Sequence, residues 1–220
     1  AAGIINNKHR PWPGSKGYLG GSYGYDATRL GIPVVEEGIL QSTPRKHSYS
    51  VRGGARDLTG AFDSFRATAT IRRYKHEELE GEEIGTAFKN DTTEFELIGN
   101  HRALGRLKGS VGAWVHGRTF DAVGAEALSP AVDQNGFAGF LFEEVTWPHV
   151  TLQFGGRVDH AHYTPAGETG RTFTTGSGSG GILFRPAAAN DAVTIAVSLA
   201  RSARYPAIEE LFYFGPHPGN

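Results

Sequence analysis

The chain has 220 residues, 31 of them glycine, with no cysteine, no methionine and a formal net charge of -1. Mixed charge leaves no basic field to draw nucleic acid or anionic lipid head groups, and the lack of cysteine excludes a disulfide framework and thiolate chemistry. No window approaches the roughly 18 apolar residues of a transmembrane helix, so a membrane can be met only by strands in a closed barrel.

The opening AAGIINNKHR lacks both the basic start and apolar core of a secretory signal and a methionine, and reads as a segment from inside a protein. After a turn-like HRPWPGSKG, residues 18–25 read as a Gly- and Tyr-rich strand, followed by the long connection DATRLGIPVVEEGILQSTPRK. Residues 47–56 alternate, Tyr49, Val51, Gly53 and Ala55 against Ser48, Ser50, Arg52 and Arg56. A short connection, DLTGAFD, leads to Phe65, Ala67, Ala69 and Ile71 opposing Arg66, Thr68, Thr70 and Arg72, and then to the acidic loop EELEGEEIG. The strand within 88–99 is less clear, with Phe95 and Leu97 against Glu94 and Glu96. Past the turn HRALGRLKG, Val111, Ala113 and Val115 oppose Gly112, Trp114 and His116, before the long connection TFDAVGAEALSPAVDQNG.

The clearest unit spans residues 137–163. Val150, Leu152, Phe154, Gly156 and Val158 fall on one face and Thr151, Gln153, Gly155, Arg157 and Asp159 on the other. A turn at Thr146, Trp147 and Pro148 joins this strand to the one before it, since proline cannot donate to a ladder. Each arm can supply about ten residues, the length a tilted strand needs to cross a bilayer. The loop TPAGETGR, a strand RTFTTGSGSGGILFRP, a turn AAAND and the alternation of Val193, Ile195, Val197 and Leu199 complete the series, and the chain runs out through RYPAIEELFYFGPHPGN.

The expected fold is therefore all-β: an antiparallel up-and-down transmembrane barrel, of which residues 1–220 supply about nine strands with long and short connections alternating. The apolar set is rich in Ala and Gly, poor material for a jigsaw core but acceptable against lipid. Arg52, Arg66, Arg72, Gln153, Arg157 and Asp159 on the opposing face suit a wet lumen. Trp12, Tyr25, Phe65, Trp147 and Tyr163 near strand ends suit interfacial girdles.

Asp159, His160 and His162 invite a metal reading, because His160 and His162 share a face near a strand end. Two ligands fall short of the roughly three or four a zinc site needs, and polar rim residues are the default reading. Glu77, Glu78, Glu80, Glu82 and Glu83 could collect cations at the outer mouth, although a charge run is usually a solvated face. Gly176, Gly178 and Gly181 satisfy G-x-G-x-x-G, but a strand follows rather than a helix, which excludes nucleotide binding; they suit a bend or the close approach of another backbone. Asn90, Asp91 and Thr92 form a sequon without meaning in a bacterial outer membrane, no Ser, His and Asp grouping stands out from chance, and His116 reads as a wall residue or ligand contact.

Arg204, Pro206, Glu209, Glu210, Leu211, Gly215, Pro216 and His217 resemble the R-x-P-x-x-E-E-L-x-x-x-G-P-H segment late in the barrel of TonB-dependent outer-membrane receptors. GYLGGSYGYDATRLGIP, with Gly31, Ile32 and Pro33 in its loop, and TLQFGGRVDHAHYTP also resemble segments of such barrels. The resemblance implies a barrel of about 22 strands closed by an N-terminal plug, of which this chain would be an internal piece lacking the plug and the remaining strands. It implies location in the outer membrane of a Gram-negative cell, contact with its lipid, and active uptake of a ligand coupled through the absent plug to the TonB energy-transducing complex. Candidate ligand-contacting residues are Glu78, Glu80, Glu82, Glu83, His160 and His162, which lean the cargo toward a metal, metal complex or siderophore; no catalytic role and no cofactor are implied. The alternatives are a passive porin, a barrel-borne hydrolase, or a soluble glycan-binding β-sandwich whose apolar faces pack together.

Overall fold

The computed structural model describes residues 3–6, 16–34, 38–80, 83–124, 127–186 and 192–215. Its strands are β1 (Gly3–Asn6), β2 (Gly17–Ala27), β3 (Leu30–Val34), β4 (Gly38–Ser42), β5 (Arg45–Arg56), β6 (Phe62–Glu80), β7 (Glu83–His101), β8 (Leu107–Gly124), β9 (Val132–Thr146), β10 (Val150–Pro165), β11 (Arg171–Phe184) and β12 (Ile195–Arg201), followed by the short helix α1 (Ile208–Phe212). They form one antiparallel meander, β1-β2-β5-β6-β7-β8-β9-β10-β11-β12, with β3 and β4 as a side hairpin held by β6. The sheet does not close on itself among the described residues. The strands expected from alternation are β2 and β5 to β12; β1 and the β3–β4 hairpin are additions, the latter inside the connection read as a loop, so that Gly31, Ile32 and Pro33 lie in a strand.

Two other connections also turn out to be strand. β6 and β7 are 19 residues each and run on through the acidic stretch, and β8 and β9 extend through most of TFDAVGAEALSPAVDQNG. These lengths exceed the roughly ten residues a bilayer requires, so the upper parts of the strands stand clear of hydrocarbon with water on both faces. Without a lipid side there is nothing to write an apolar alternation into the sequence, which is why those extensions read as loop. The rim they form is the upper one; the turns at 57–61, 102–106 and 147–149 form the lower one.

Directly paired residues share a face, so the registers carry each strand's alternation across the sheet. One row joins Gly21, Val51, Ala69, Phe95, Val115 and Phe137. A lower one joins Leu107, Val145, Leu152, Ile182 and Val197. The apolar band thus steps toward the lower rim from β5 to β12, as it must when tilted strands cross a flat slab. Val51, Phe137, Val158 and Leu199 are each more than half exposed on this outward face. The buried core, Val132, Ala161, Tyr163, Ile208 and Phe212, lies on the other side, where α1 packs against β9 and β10. Tyr163 is therefore an inner-wall residue rather than a girdle aromatic, while Tyr25 and Phe65 share the outward face; Trp12 lies outside the described residues.

Close packing of β8 on β9 depends on Gly109. A Cβ there would run into the Phe142 carbonyl oxygen and the Glu143 carboxylate, the latter bonded to His101 Nε2 at 2.9 Å. Gly109→Ala is expected to cost about 1–3 kcal/mol by forcing the two strands apart, read as a lowered urea midpoint for folding of the full-length protein into lipid vesicles.

Candidate functional site

The inner face is polar because it is the face lipid does not touch. Arg52, Arg66 and Arg72 take it on β5 and β6, and Gln153, Arg157 and Asp159 on β10, as expected. Charge on this wall is paired locally: Arg72 Nη1 lies 2.8 Å from Glu94 Oε2, and Arg157 grips Asp159 with Nη2 to Oδ1 at 2.6 Å. Arg157 also lies over the rings of Trp114 and Phe140, 5.6 and 5.5 Å from their centroids. Such stacking orients a guanidinium without removing its charge.

Across this wall runs the segment after β12, which forms a strap. Ser177 Oγ accepts the Ala203 N–H at 3.0 Å and donates to the Ala203 carbonyl at 3.2 Å, pinning the strap to β11. The Tyr163 hydroxyl donates to the Pro206 carbonyl at 2.5 Å, and Arg118 of β8 reaches Glu209 with Nη2 to Oε1 at 2.6 Å. Glu210 accepts from Arg204 Nη2 at 2.5 Å and from the Ala207 N–H at 2.7 Å, which closes the turn that starts α1. Gly136 faces inward beneath Tyr205, where a Cβ would make ordinary contact with Tyr205 Oη at 3.6 Å. Ile208 and Phe212 then plug into the wall beside Val132 and Tyr163.

Beneath the strap is a cavity of about 800 Å³, lined on β7 and β8 by Thr92, Glu94, Trp114 and His116 and on β10 by Arg157 and Asp159. His116 stacks on Trp114 at 5.1 Å, and its Nδ1 lies 3.7 Å from Glu94 Oε1, too far for a hydrogen bond. The buried Thr92 Oγ1 and His116 Nδ1 make no hydrogen bond. The cavity therefore offers both charges, an aromatic wall and free hydrogen-bonding capacity to a polar solute of small-molecule size.

A family model for the TonB dependent receptor-like β-barrel matches residues 6–220. The chain belongs to this family. Its solved structural neighbours include the FrpB iron transporter of Neisseria meningitidis, F5-1 variant (13% identity, TM-score 0.73, 93% of this chain and 36% of that one). The alcaligin outer-membrane receptor FauA of Bordetella pertussis shares 16% identity at TM-score 0.61, over 84% of this chain and 32% of that one. The copper transporter OprC shares 12% identity at TM-score 0.61, over 88% of this chain and 43% of that one. The chain spans about a third to two fifths of the length of these structures, and at such identities the likeness establishes the fold. As a TonB-dependent receptor barrel it resides in the outer membrane, and the outward apolar band is its lipid face.

The residues singled out in the sequence are dispersed by this barrel. β-Strands send neighbours to opposite faces, so Glu77 points outward while Glu78 points inward, its Oε1 3.5 Å from His76 Nε2. Glu83 is exposed, Glu80 pairs with it at the hairpin tip, and Glu82 lies outside the described residues. His160 and His162 do share a face, but it is the outward one: His160 continues the row of Val115 and Phe137 and stacks on Phe137 at 5.0 Å. Their Nδ1 atoms lie 2.9 and 2.8 Å from Thr174 Oγ1 and Thr172 Oγ1, and Asp159 faces the other way, toward Arg157. No group of three or more metal-ligating side chains occurs among the described residues. Gly176, Gly178 and Gly181 lie in β11, where Gly176 and Gly178 face outward, away from anything inside the barrel.

The strap was legible only as a family motif. Pro206 and Glu209 prove to be its anchors on the wall and Arg204 and Glu210 pair with each other to close its turn, whereas Pro216 and His217 lie outside the described residues. Nothing in the sequence tied Arg118, Tyr163 and Ser177 to the strap, because contacts 91, 43 and 26 residues apart leave no local pattern.

The strap's carboxylates sit below their ordinary range. The Arg204 hydrogen bond and the Ala207 N–H bring Glu210 down to about 2. Burial pushes Glu209 up, but the hydrogen bond and charge of Arg118 outweigh it and the net shift is downward. A carboxylate of this kind stabilises the folded turn fully above the ordinary value of 4.5 and loses that contribution as pH falls through the lowered one. The turn that starts α1 is therefore expected to keep its full stability above pH 4.5 and to loosen as pH falls toward 2, followed by proteolysis of the strap with an acid-active protease.

Proposed function

We propose that this barrel belongs to an active-transport receptor that takes a scarce metal, metal complex or siderophore into its lumen and releases it inward on coupling to the TonB complex. The observation that carries this reading is the polar cavity under the strap, which presents Arg157, Asp159, Glu94 and His116 around one space. A diffusion pore has no need to gather such contacts, and the aromatic and charged groups here line one space. The cargoes named for FrpB, FauA and OprC, iron, alcaligin and copper, support a metal-related ligand for this chain as well. Coupling runs through a plug that contacts the TonB complex, and Glu78 and Glu83 at the β6–β7 tip are first-contact candidates for a cation.

The test uses the full-length protein in cells with and without TonB, supplied with radiolabelled ferric chelates or copper. Accumulation that needs both the receptor and TonB supports the reading. Equal accumulation without TonB would mean passive diffusion.

A further inference from the structure

His101 ends β7 at the turn of the lower rim, and both nitrogens of its ring are engaged. Nδ1 lies 2.8 Å from the Arg102 carbonyl oxygen, and Nε2 lies 2.9 Å from Glu143 Oε2 on β9. A carbonyl oxygen only accepts, so the single proton of a neutral imidazole is used at Nδ1. The contact at Nε2 then needs a second proton, since two lone pairs at that distance would repel. Imidazole is a stronger base than a carboxylate, so that proton belongs to the ring and His101 is an imidazolium facing an ionised Glu143.

The contact crosses a whole strand. Gly109 of β8, paired with Glu143, lies between the two partners. A Cβ at Gly109 would run into the Glu143 carboxylate, so the missing side chain is what lets Glu143 reach over β8 to β7. On the far side, Arg102 donates its backbone N–H to the Ala61 carbonyl at 2.8 Å and its Nε to the Gly60 carbonyl at 3.0 Å, with Nη2 3.3 Å from Asp63 Oδ1. Residues 101 and 102 together therefore brace the β5–β6 turn against β9. Phe62, paired with His101, packs on Phe65 with ring centroids 4.7 Å apart, an aromatic step that marks the lower edge of the lipid band. Water reaches the pair there, because the side chains of His101 and Glu143 keep 16% and 14% of their surface exposed.

We propose that His101 and Glu143 form a proton-operated clasp of the lower rim. With the proton in place the clasp ties β7 to β9 across Gly109; without it the ring keeps only one of its two partners and the brace to the β5–β6 turn loosens. The charges around the ring favour the closed form. Glu143 from β9 and Asp63 from β6 are both negative, the Arg102 guanidinium is taken up by Asp63 and the turn carbonyls, and β8 turns Lys108 to the inner face opposite Glu144. The Arg102 carbonyl and then the Glu143 carboxylate hold His101 above the ordinary histidine value of 6.5, against a smaller opposing effect of burial. The clasp's contribution is thus complete below 6.5 and is lost as pH rises through the higher value.

The full-length receptor, with nitrogen-15 in its histidines, is placed in lipid nanodiscs and titrated by NMR, the His101 ring being assigned through its own backbone. The expected result is an imidazolium signature at pH 6 and a titration midpoint above 6.5. In urea titrations of folding into vesicles, the wild-type folding equilibrium is expected to fall about tenfold more between pH 6 and pH 9 than that of His101→Gln or Glu143→Gln, the worth of one charge-assisted hydrogen bond. His149→Gln, on the neighbouring lower turn, should keep the wild-type dependence. The ring titration, made on the wild type, decides the matter if a variant fails to fold. A neutral ring at pH 6, a midpoint at or below 6.5, or an equal fall in the wild type and both clasp variants would each overturn the proposal.

Discussion

Phe212→Ala is expected to undock the strap. The Phe212 side chain is fully buried against Tyr163, with ring centroids 6.1 Å apart, and Arg171 lies over its ring at 5.0 Å. Truncating a buried phenylalanine costs about 3–5 kcal/mol, and α1 has only five residues, too few to hold a helix without tertiary contacts. The loss should fall on the docking of the strap rather than on the barrel, because none of the strand registers involves Phe212. Hydrogen exchange on the full-length protein reads this directly: amides of residues 203–212 should exchange faster while β8 to β11 stay protected. Unchanged protection of the strap would mean that the Arg118 ion pair and the hydrogen bonds of Tyr163 and Ser177 hold it by themselves. Uptake measured on the same variant then separates a strap that shapes the cavity from one that merely fills it.

Phe154→Arg is expected to destabilise the barrel in the bilayer. Phe154 sits in the middle of the apolar series of β10, between Leu152 and Val158, on the face opposite Arg157 and Asp159. A charge at the bilayer midplane on a barrel's lipid face costs about 2–4 kcal/mol, falling toward zero near the interfaces. Gln153→Arg, one residue away on the inner wall, should change stability by less than about 0.5 kcal/mol, since it remains in water. Urea titrations of folding into vesicles supply both numbers. Similar costs at the two positions would contradict the assignment of faces.

The same physics separates what was readable in the chain from what was not. Where lipid presses on one face and water on the other, the strand must write that difference residue by residue, so Val51, Val115, Phe154 and Val197 announced both their strands and the sidedness of the wall. Belonging to the barrel family was legible too, through Arg204, Pro206, Glu209 and Glu210. Above the membrane both faces are wet and the alternation lapses, so the upper halves of β6 to β9 were visible only once their ladders were in place. Proximity in sequence does not by itself set the face a side chain takes: Glu77 and Glu78 point to opposite faces, while His160 and His162 share the outward one.

The strands that cross the bilayer, and which of their faces is greasy, follow from the local pattern of residues, because a two-residue period and a two-sided environment are local facts. The cavity under the strap arises only once distant strands have paired. Arg118 meets Glu209, and His101 meets Glu143, through strand register and chain reversal, and pairing between distant segments is set by the whole sheet rather than by any stretch of it.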